Sequence, residues 1–142
     1  MTRRDGEGMC ETCNQAFGHM LVHNGFNDSA YAYCDRCGET ALFSAWSPTV
    51  QKGMDVGFSG PLKQAAEALV RPCMCGGAFR GSAAPRCPHC GERLSAELAA
   101  GYLERDAPGT AKGWRWQRTW SGLYAIIIED RVLNDPWIKD AG

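Results

Sequence analysis

The sequence lacks several features that would assign it to a class at once. No run of about 18 apolar residues occurs, so no membrane-spanning helix is predicted. The first nine residues contain no apolar stretch of the kind found in secretory signals, and none is expected here. Phosphate-binding glycine loops, dinucleotide-binding glycine patterns and the nucleophile-elbow motif are also missing. The sequence therefore gives no support to the common enzyme classes.

Strong charge of one sign is missing as well. The formal net charge of the 142 residues is −1 at pH 7. Two zinc ions, each held by four thiolates, would take the total to about −5. A broad nucleic-acid surface needs clustered positive charge, so the composition does not favour one.

Cysteine, by contrast, is plentiful. In a cytoplasmic protein thiols stay reduced, so closely spaced cysteines are expected to bind metal rather than to form disulfides. The eight cysteines of this chain form four close pairs: Cys10 with Cys13, Cys34 with Cys37, Cys73 with Cys75, and Cys87 with Cys90.

The spacing of these pairs predicts two structural zinc ions. Zinc takes four ligands at tetrahedral corners, and two Cys-x2-Cys turns brought together by a hairpin supply them. Four thiolates close the ion to water, so neither site is expected to be catalytic. We expect sequential grouping, with the first four cysteines on one ion and the last four on the other. A cross-brace, in which the two stretches share ligands, is the alternative.

Two of the turns carry a glycine after the second cysteine: Cys34-Asp-Arg-Cys-Gly38 and Cys87-Pro-His-Cys-Gly91. Glycine there allows the positive φ that a close turn past the sulfur requires. Both turns resemble the knuckles of rubredoxin-type zinc ribbons, whereas Cys73-x-Cys75 is one residue shorter than that pattern. The resemblance covers residues 10–46 and 73–94. It implies small zinc-bound β-hairpin modules, a kind of zinc finger, but no particular function.

The predicted fold is a β-rich α+β protein with two zinc-ribbon-like modules, short helices and a C-terminal tryptophan-rich hairpin. Its expected divisions are a flexible arm (1–9), an N-terminal ribbon (10–47), a linker with a short helix (48–72), a second ribbon with a helix (73–105) and a hairpin packed on the ribbons (106–142).

Within these divisions the hydrophobic patterns predict individual elements. Residues 19–23 and 31–33 form the two strands of the first hairpin, and residues 41–46 form a third strand. Pro61 opens a helix over residues 62–70, and residues 95–105 form a second helix.

The C-terminal part carries the strongest strand pattern. Residues 114–120 and 123–129 flank Ser121-Gly122, a plausible two-residue turn. The second of these strands is apolar on both faces, so we expect it to be central and buried. Residues 132–133 are expected to continue the meander.

Other candidate site residues have simpler interpretations. His19 and His23 are expected to be surface or partly buried side chains rather than ligands, and His89 is expected to point outward from its turn. Phe26 could anchor a partner at a hairpin tip, although turn composition alone explains that loop.

The leading functional hypothesis is a non-enzymatic cytoplasmic zinc-binding protein that acts as an adaptor for a protein partner, away from any membrane. One alternative is a nucleic-acid-binding factor that uses basic residues interleaved with tryptophans. Others are an accessory subunit of an enzyme and a redox sensor that releases zinc. The basic residues of the nucleic-acid alternative are Lys112, Arg115 and Arg118. The oligomeric state is left open.

Overall fold

The computed structural model describes residues 3–23, 29–44, 59–94 and 124–138. These residues contain two sheets and one short helix, which confirms the β-rich α+β class. None of their helices is long and apolar enough to cross a membrane. In chain order the elements are β1 (Arg3–Met9), β2 (Ala16–His23), β3 (Ser29–Cys34), β4 (Thr40–Ser44), β5 (Ser59–Pro61), α1 (Gln64–Glu67), β6 (Phe79–Arg80), β7 (Tyr124–Ile128) and β8 (Val132–Asn134).

The strands divide into a first sheet and a second sheet. The first sheet has the order β1-β2-β7, and all its pairs are antiparallel. The second has the order β5-β3-β4-β8, with β6 also paired to the end of β3. Its β3–β4 and β3–β6 pairs are antiparallel, whereas β3–β5 and β4–β8 are parallel. In each sheet the last strand, β7 or β8, therefore pairs with a strand that is distant in the sequence.

Strand β3 is buried on both faces and separates two hydrophobic cores. Successive side chains of a strand point to opposite faces. Tyr31 and Tyr33 accordingly pack in the core that contains two isoleucines of β7, and Ala30 and Ala32 pack in the core around Trp137. These four residues are fully buried. The strand predicted over residues 31–33 is confirmed, but its burial on both sides was not foreseen.

Two buried hydrogen bonds join the first sheet to the second. The hydroxyl of Thr40 donates to the carbonyl oxygen of Ile126 at 2.7 Å. The amide of Ile126 donates to the hydroxyl oxygen of Tyr33 at 3.1 Å. Burial raises the pKa of Tyr33, so this hydroxyl stays neutral. Both polar groups of one β7 residue are thus satisfied away from water, which fixes β7 against β3 and β4.

The pairing predicted around the first hairpin is wrong. Strands form at the predicted places, but β2 pairs with β1 and β7, whereas β3 lies in the second sheet. Residues 132–133 do form a strand, but β8 pairs in parallel with β4 and does not continue a meander. The turn residues between β2 and β3 indicated a hairpin, but β2 pairs with β1 and the distant β7, and β3 pairs with β4.

Residues 3–9, expected to be a flexible arm, form β1 along the edge of β2. Main-chain hydrogen bonds make this pairing, so the polar sequence of the segment gave no sign of it. Residues 59–60, expected in the linker, belong to β5. The helix predicted over 62–70 is shorter, because Pro61 ends β5 and Lys63 is the N-cap of α1.

The C-terminal predictions fall partly within the described ranges. Strand β7 forms where predicted, and its residues 125–128 are buried on both faces. Its predicted partner strand, residues 114–120, lies outside the described residues, as does the helix predicted over 95–105.

Candidate metal centres

The cysteines gather into two groups of four whose sulfur atoms all lie within 4.8 Å of one another. The outer group takes its members from the first and last pairs of the chain, and the inner group takes them from the two middle pairs. The outer group is Cys10, Cys13, Cys87 and Cys90, and the inner group is Cys34, Cys37, Cys73 and Cys75.

The sulfur–sulfur distances suit a tetrahedral metal site. In the outer group, Cys10 and Cys90 are 3.7 Å apart, as are Cys13 and Cys87. In the inner group the corresponding separations are 3.4 Å and 3.6 Å. A tetrahedron with metal–sulfur bonds of about 2.3 Å has edges of about 3.8 Å, whereas a disulfide bond is about 2.05 Å long. Both groups could therefore each hold one metal ion, and all eight thiols are free.

The sequential grouping that we expected is wrong. Each group draws one pair from the N-terminal stretch and one from the middle stretch, so the stretches share ligands. The cross-brace alternative also shared them, but a cross-brace joins the first pair to the third and the second to the fourth. The pairs are nested: the second and third pairs form the inner group, and the first and fourth enclose it. A ribbon bounded at residue 47 thus supplies only half of each group.

Strand pairing explains the inner group. Cys34 is the last residue of β3, and its pairing partner on β6 is Phe79. Just beyond, the amide of Asp35 donates to the carbonyl oxygen of Ala78 at 2.8 Å. This pairing holds the turn after β3 against the turn before β6, so the two cysteine pairs meet.

Three of the cysteine turns share one hydrogen-bonding pattern. In each, the first cysteine's amide donates to the carbonyl of the residue five positions later, and its carbonyl accepts from the residue four positions later. That later residue has positive φ in every case: 58° at Asn14, 79° at Gly38 and 77° at Gly91. Asparagine tolerates this conformation better than most residues. Asn14 after Cys13 thus takes the place that glycine takes after Cys37 and Cys90, which the glycine pattern alone did not indicate.

The fourth turn, from Cys73 to Gly77, has the same hydrogen-bonding pattern shortened by one residue. The amide of Cys73 donates to the carbonyl of Gly77, and the amide of Gly76 donates back to the carbonyl of Cys73, both at 2.9 Å. Gly76 takes the positive φ, at 97°. The unusual Cys-x-Cys spacing therefore does not prevent the turn from presenting both sulfurs.

Backbone amides surround the sulfur atoms and favour their charged form. The N–H groups of Arg36 and Cys37 both point at the Cys34 sulfur at 3.4 Å. A hydrogen bond from the amide of Cys13 lowers the pKa of Cys10 to about 7, and one from Gly77 does the same for Cys75. Burial raises the pKa of Cys73. Because metal ligation requires thiolates, the donated hydrogen bonds assist it.

Three arginines add positive charge near the groups, which the cysteine motifs did not indicate. Arg36 donates to the carbonyl of Cys75 at 3.3 Å, and Arg131 donates to the carbonyl of Cys37 at 3.4 Å. Arg86 immediately precedes Cys87. Four thiolates and one divalent ion carry a charge of about −2, which these guanidinium groups offset.

The side chains of His19 and His89 stand outside both groups, and that of His23 is not among those the structure describes. His19 is buried in β2. His89 is exposed, and its Nε2 lies 2.8 Å from the carbonyl oxygen of Ala16. Phe26 and the basic residues of segment 112–118 lie outside the described residues.

Taken together, the fold and these groups define a β-rich protein with two four-cysteine centres suited to metal ions. Residues 6–96 match the family model described as "Domain of unknown function (DUF8255)", so the chain belongs to this family. The match includes all eight cysteines but stops before β7 and β8. No curated protein and no solved structure matches the chain.

The two glycine-bearing turns allow a matched test of how tightly the centres pack on each other. Gly91→Ala should cost about 1–2 kcal/mol, because only the positive φ opposes it and nothing lies within 4 Å of the added methyl. Gly38→Ala should cost a further 1–3 kcal/mol or so, because its methyl would meet the Arg86 backbone nitrogen at 2.5 Å. Chemical unfolding of both variants with zinc present measures the difference. Equal losses would contradict the close contact between the turns.

Proposed function

We propose that this protein is a non-enzymatic, cytoplasmic zinc protein whose two closed centres hold a surface that binds a protein partner. The observation that carries the proposal is the composition of the centres. Four sulfurs surround each, so zinc would have no open position for water or substrate. A structural role for the ions fits this arrangement, and a resemblance to zinc ribbons is retained only for the shape of the individual turns.

The donor set favours zinc or iron over ions that prefer oxygen ligands, and zinc is the ion we propose. Tetrahedral sites of four thiolates are typical of zinc and of iron–sulfur centres. The sulfurs of each group lie close enough for a single ion, at edges of 3.4–3.7 Å. X-ray absorption at the zinc edge should then show four sulfurs at about 2.3 Å and no oxygen.

The proposed partner surface includes Met74. It stands between two inner-group ligands, and 99% of it is exposed. Methionine adapts to varied apolar surfaces and is common where proteins bind partners. The short turn from Cys73 to Gly77 therefore holds an apolar side chain in water at a fixed place.

Substituting Met74 tests the adaptor role. Met74→Ser should leave the free energy of unfolding within about 0.5 kcal/mol of wild type, since the side chain contacts solvent. It should weaken binding of the partner recovered by wild-type protein at least tenfold, measured by titration of that purified partner. Met9→Ser, at a second exposed methionine, is the control. Equal weakening by both variants would reject Met74 as the anchor. Turnover of a substrate by a chain with no protein partner would reject the adaptor role.

A further inference from the structure

A small cavity lies between the turn of the inner group and the base of the outer group's second turn. Its volume is about 220 Å³. Ligand pockets for drug-sized molecules usually measure about 300–1,000 Å³, so this cavity suits a small ion or a single chemical group. Its charged lining consists of Asp35, Arg80, Arg86 and Arg93, and the rest is Ser82, Ala83 and Ala84.

Two of the arginines face each other across a short antiparallel bridge. Arg86 and Arg93 are paired, with one flanking hydrogen bond from Cys87 to Glu92 and the other from Leu94 to Pro85. This makes them a pair without hydrogen bonds between themselves, the kind in which side chains come closest. Like charges directly opposite each other destabilise a sheet pair. An anion between them would remove that cost.

The carboxylate that lines the cavity already accepts hydrogen bonds from other groups. Asp35 accepts hydrogen bonds from the amide of Ala78 and from Nε of Arg80, both at 3.0 Å. Arg80 also pairs with Glu67 at 3.4 Å. Within the described part of the chain, no carboxylate oxygen lies within 4.0 Å of a nitrogen of Arg86 or Arg93, and Asp35 attracts Arg86 only at longer range.

Arg86 is held in place by main-chain carbonyl groups. Its two terminal nitrogens donate to the carbonyls of Gly91 at 2.9 Å and Asp35 at 3.3 Å. Its Nε is buried and has no hydrogen-bond partner among the described residues. Each terminal nitrogen carries a second N–H, so a guanidinium held in this way needs little further ordering to donate to an anion.

We propose that this cavity binds a phosphate group, held by Arg86 and Arg93. Guanidinium groups bind phosphate through two parallel hydrogen bonds, and two of them can share the oxygens of one phosphate. The group could be free phosphate or the phosphate of a nucleotide. The size of the cavity admits the phosphate itself and leaves any attached nucleoside outside.

Isothermal titration of the zinc-loaded protein with inorganic phosphate at low ionic strength tests the site. Wild type should bind one phosphate per chain, and chloride at the same ionic strength should not compete. Arg93→Gln should weaken phosphate binding at least tenfold. Arg93→Lys keeps the charge but loses the paired hydrogen bonds, so its phosphate affinity should lie between those of wild type and Arg93→Gln. Lys63→Gln, an exposed charge outside the cavity, should change binding less than twofold.

A second titration with adenosine 5′-monophosphate separates the two sources. Equal affinity for both probes identifies phosphate alone as the ligand, and tighter binding of the nucleotide identifies a nucleoside contact at the rim. Absence of phosphate binding by wild type would overturn the proposal. So would equal weakening by Arg93→Gln and Lys63→Gln. If Arg93→Gln loses zinc while phosphate binding never occurs, the arginines serve only to offset thiolate charge, which also overturns it.

Discussion

Removal of zinc from the reduced protein should abolish its cooperative unfolding transition. Structural zinc contributes an apparent 10–16 kcal/mol or so in small zinc-binding peptides, whereas a whole domain is stable by about 5–15 kcal/mol. Cys10 and Cys87 belong to one hydrophobic core, and Cys34 and Cys73 to the other. Loss of the ions would leave clustered thiols in both cores. Circular dichroism during heating, with chelator and reductant present, measures the effect.

Re-addition of zinc should restore the transition, and magnesium should not, because it prefers oxygen ligands. A metal-free, reduced chain that unfolds at the same temperature as the zinc-loaded protein would contradict a structural role for the ions.

Single ligand substitutions extend this prediction to the nested grouping. Cys10→Ser should expose Cys87 and Cys90 to alkylation while the inner group stays protected. Cys34→Ser, the matched variant, should expose Cys73 and Cys75 instead. Mass spectrometry of the alkylated peptides reads out both patterns. Sequential grouping predicts the opposite, since Cys10→Ser would then expose Cys34 and Cys37.

A chain that ends at residue 96, where the family match ends, should not fold even with zinc. It lacks Ala125, Ile126 and Ile128 of one core and Trp137 of the other. Trp137 is fully buried, and its ring lies 4.7 Å from that of Phe43. The shortened chain should show neither a cooperative transition nor dispersed amide resonances, whereas the full chain should show both.

A point substitution gives the same prediction a measurable size. Trp137→Ala should cost about 3–5 kcal/mol in chemical unfolding, as for other buried large aromatic residues. Ile138→Ala is the control, because 49% of Ile138 is exposed and it should cost clearly less. Similar losses at the two positions, or a stable chain ending at 96, would show that the C-terminal strands are dispensable.

The sequence predicted the cysteine turns well because each turn is a local structure. Spacing and the glycines at 38 and 91 indicate two of the turns within five residues of chain. The turn at Asn14 needed the wider rule that asparagine also accepts positive φ, and the turn at Cys73 is one residue shorter than the pattern. The grouping of the turns could not be predicted in this way. It depends on β6 pairing with the end of β3, and a two-residue strand leaves almost no pattern in the sequence.

The same distinction applies to the strands. The aromatic residues two apart at Tyr31 and Tyr33 predicted β3 correctly, and the absence of any polar residue at Ala30 and Ala32 was an available sign of burial on both sides. Strand β1 offered no such sign, because charged residues and glycine compose most of it. Its place follows from the free edge of β2, a property of the assembled sheet.

The nesting of the two centres also sets an order in which the chain can close. Ligands of the inner group are joined through residues 38–72, whereas those of the outer group are joined through residues 14–86, a segment that contains the whole inner group. The entropy lost on closing a loop grows with its length, by about 0.6 kcal/mol for each doubling. Once the inner ion is bound, only residues 14–33 and 76–86 still separate the outer ligands. Binding of the inner ion therefore lowers the entropy cost of bringing the outer ligands together. The order of synthesis agrees with this, because Cys87 and Cys90 are made after all four inner ligands.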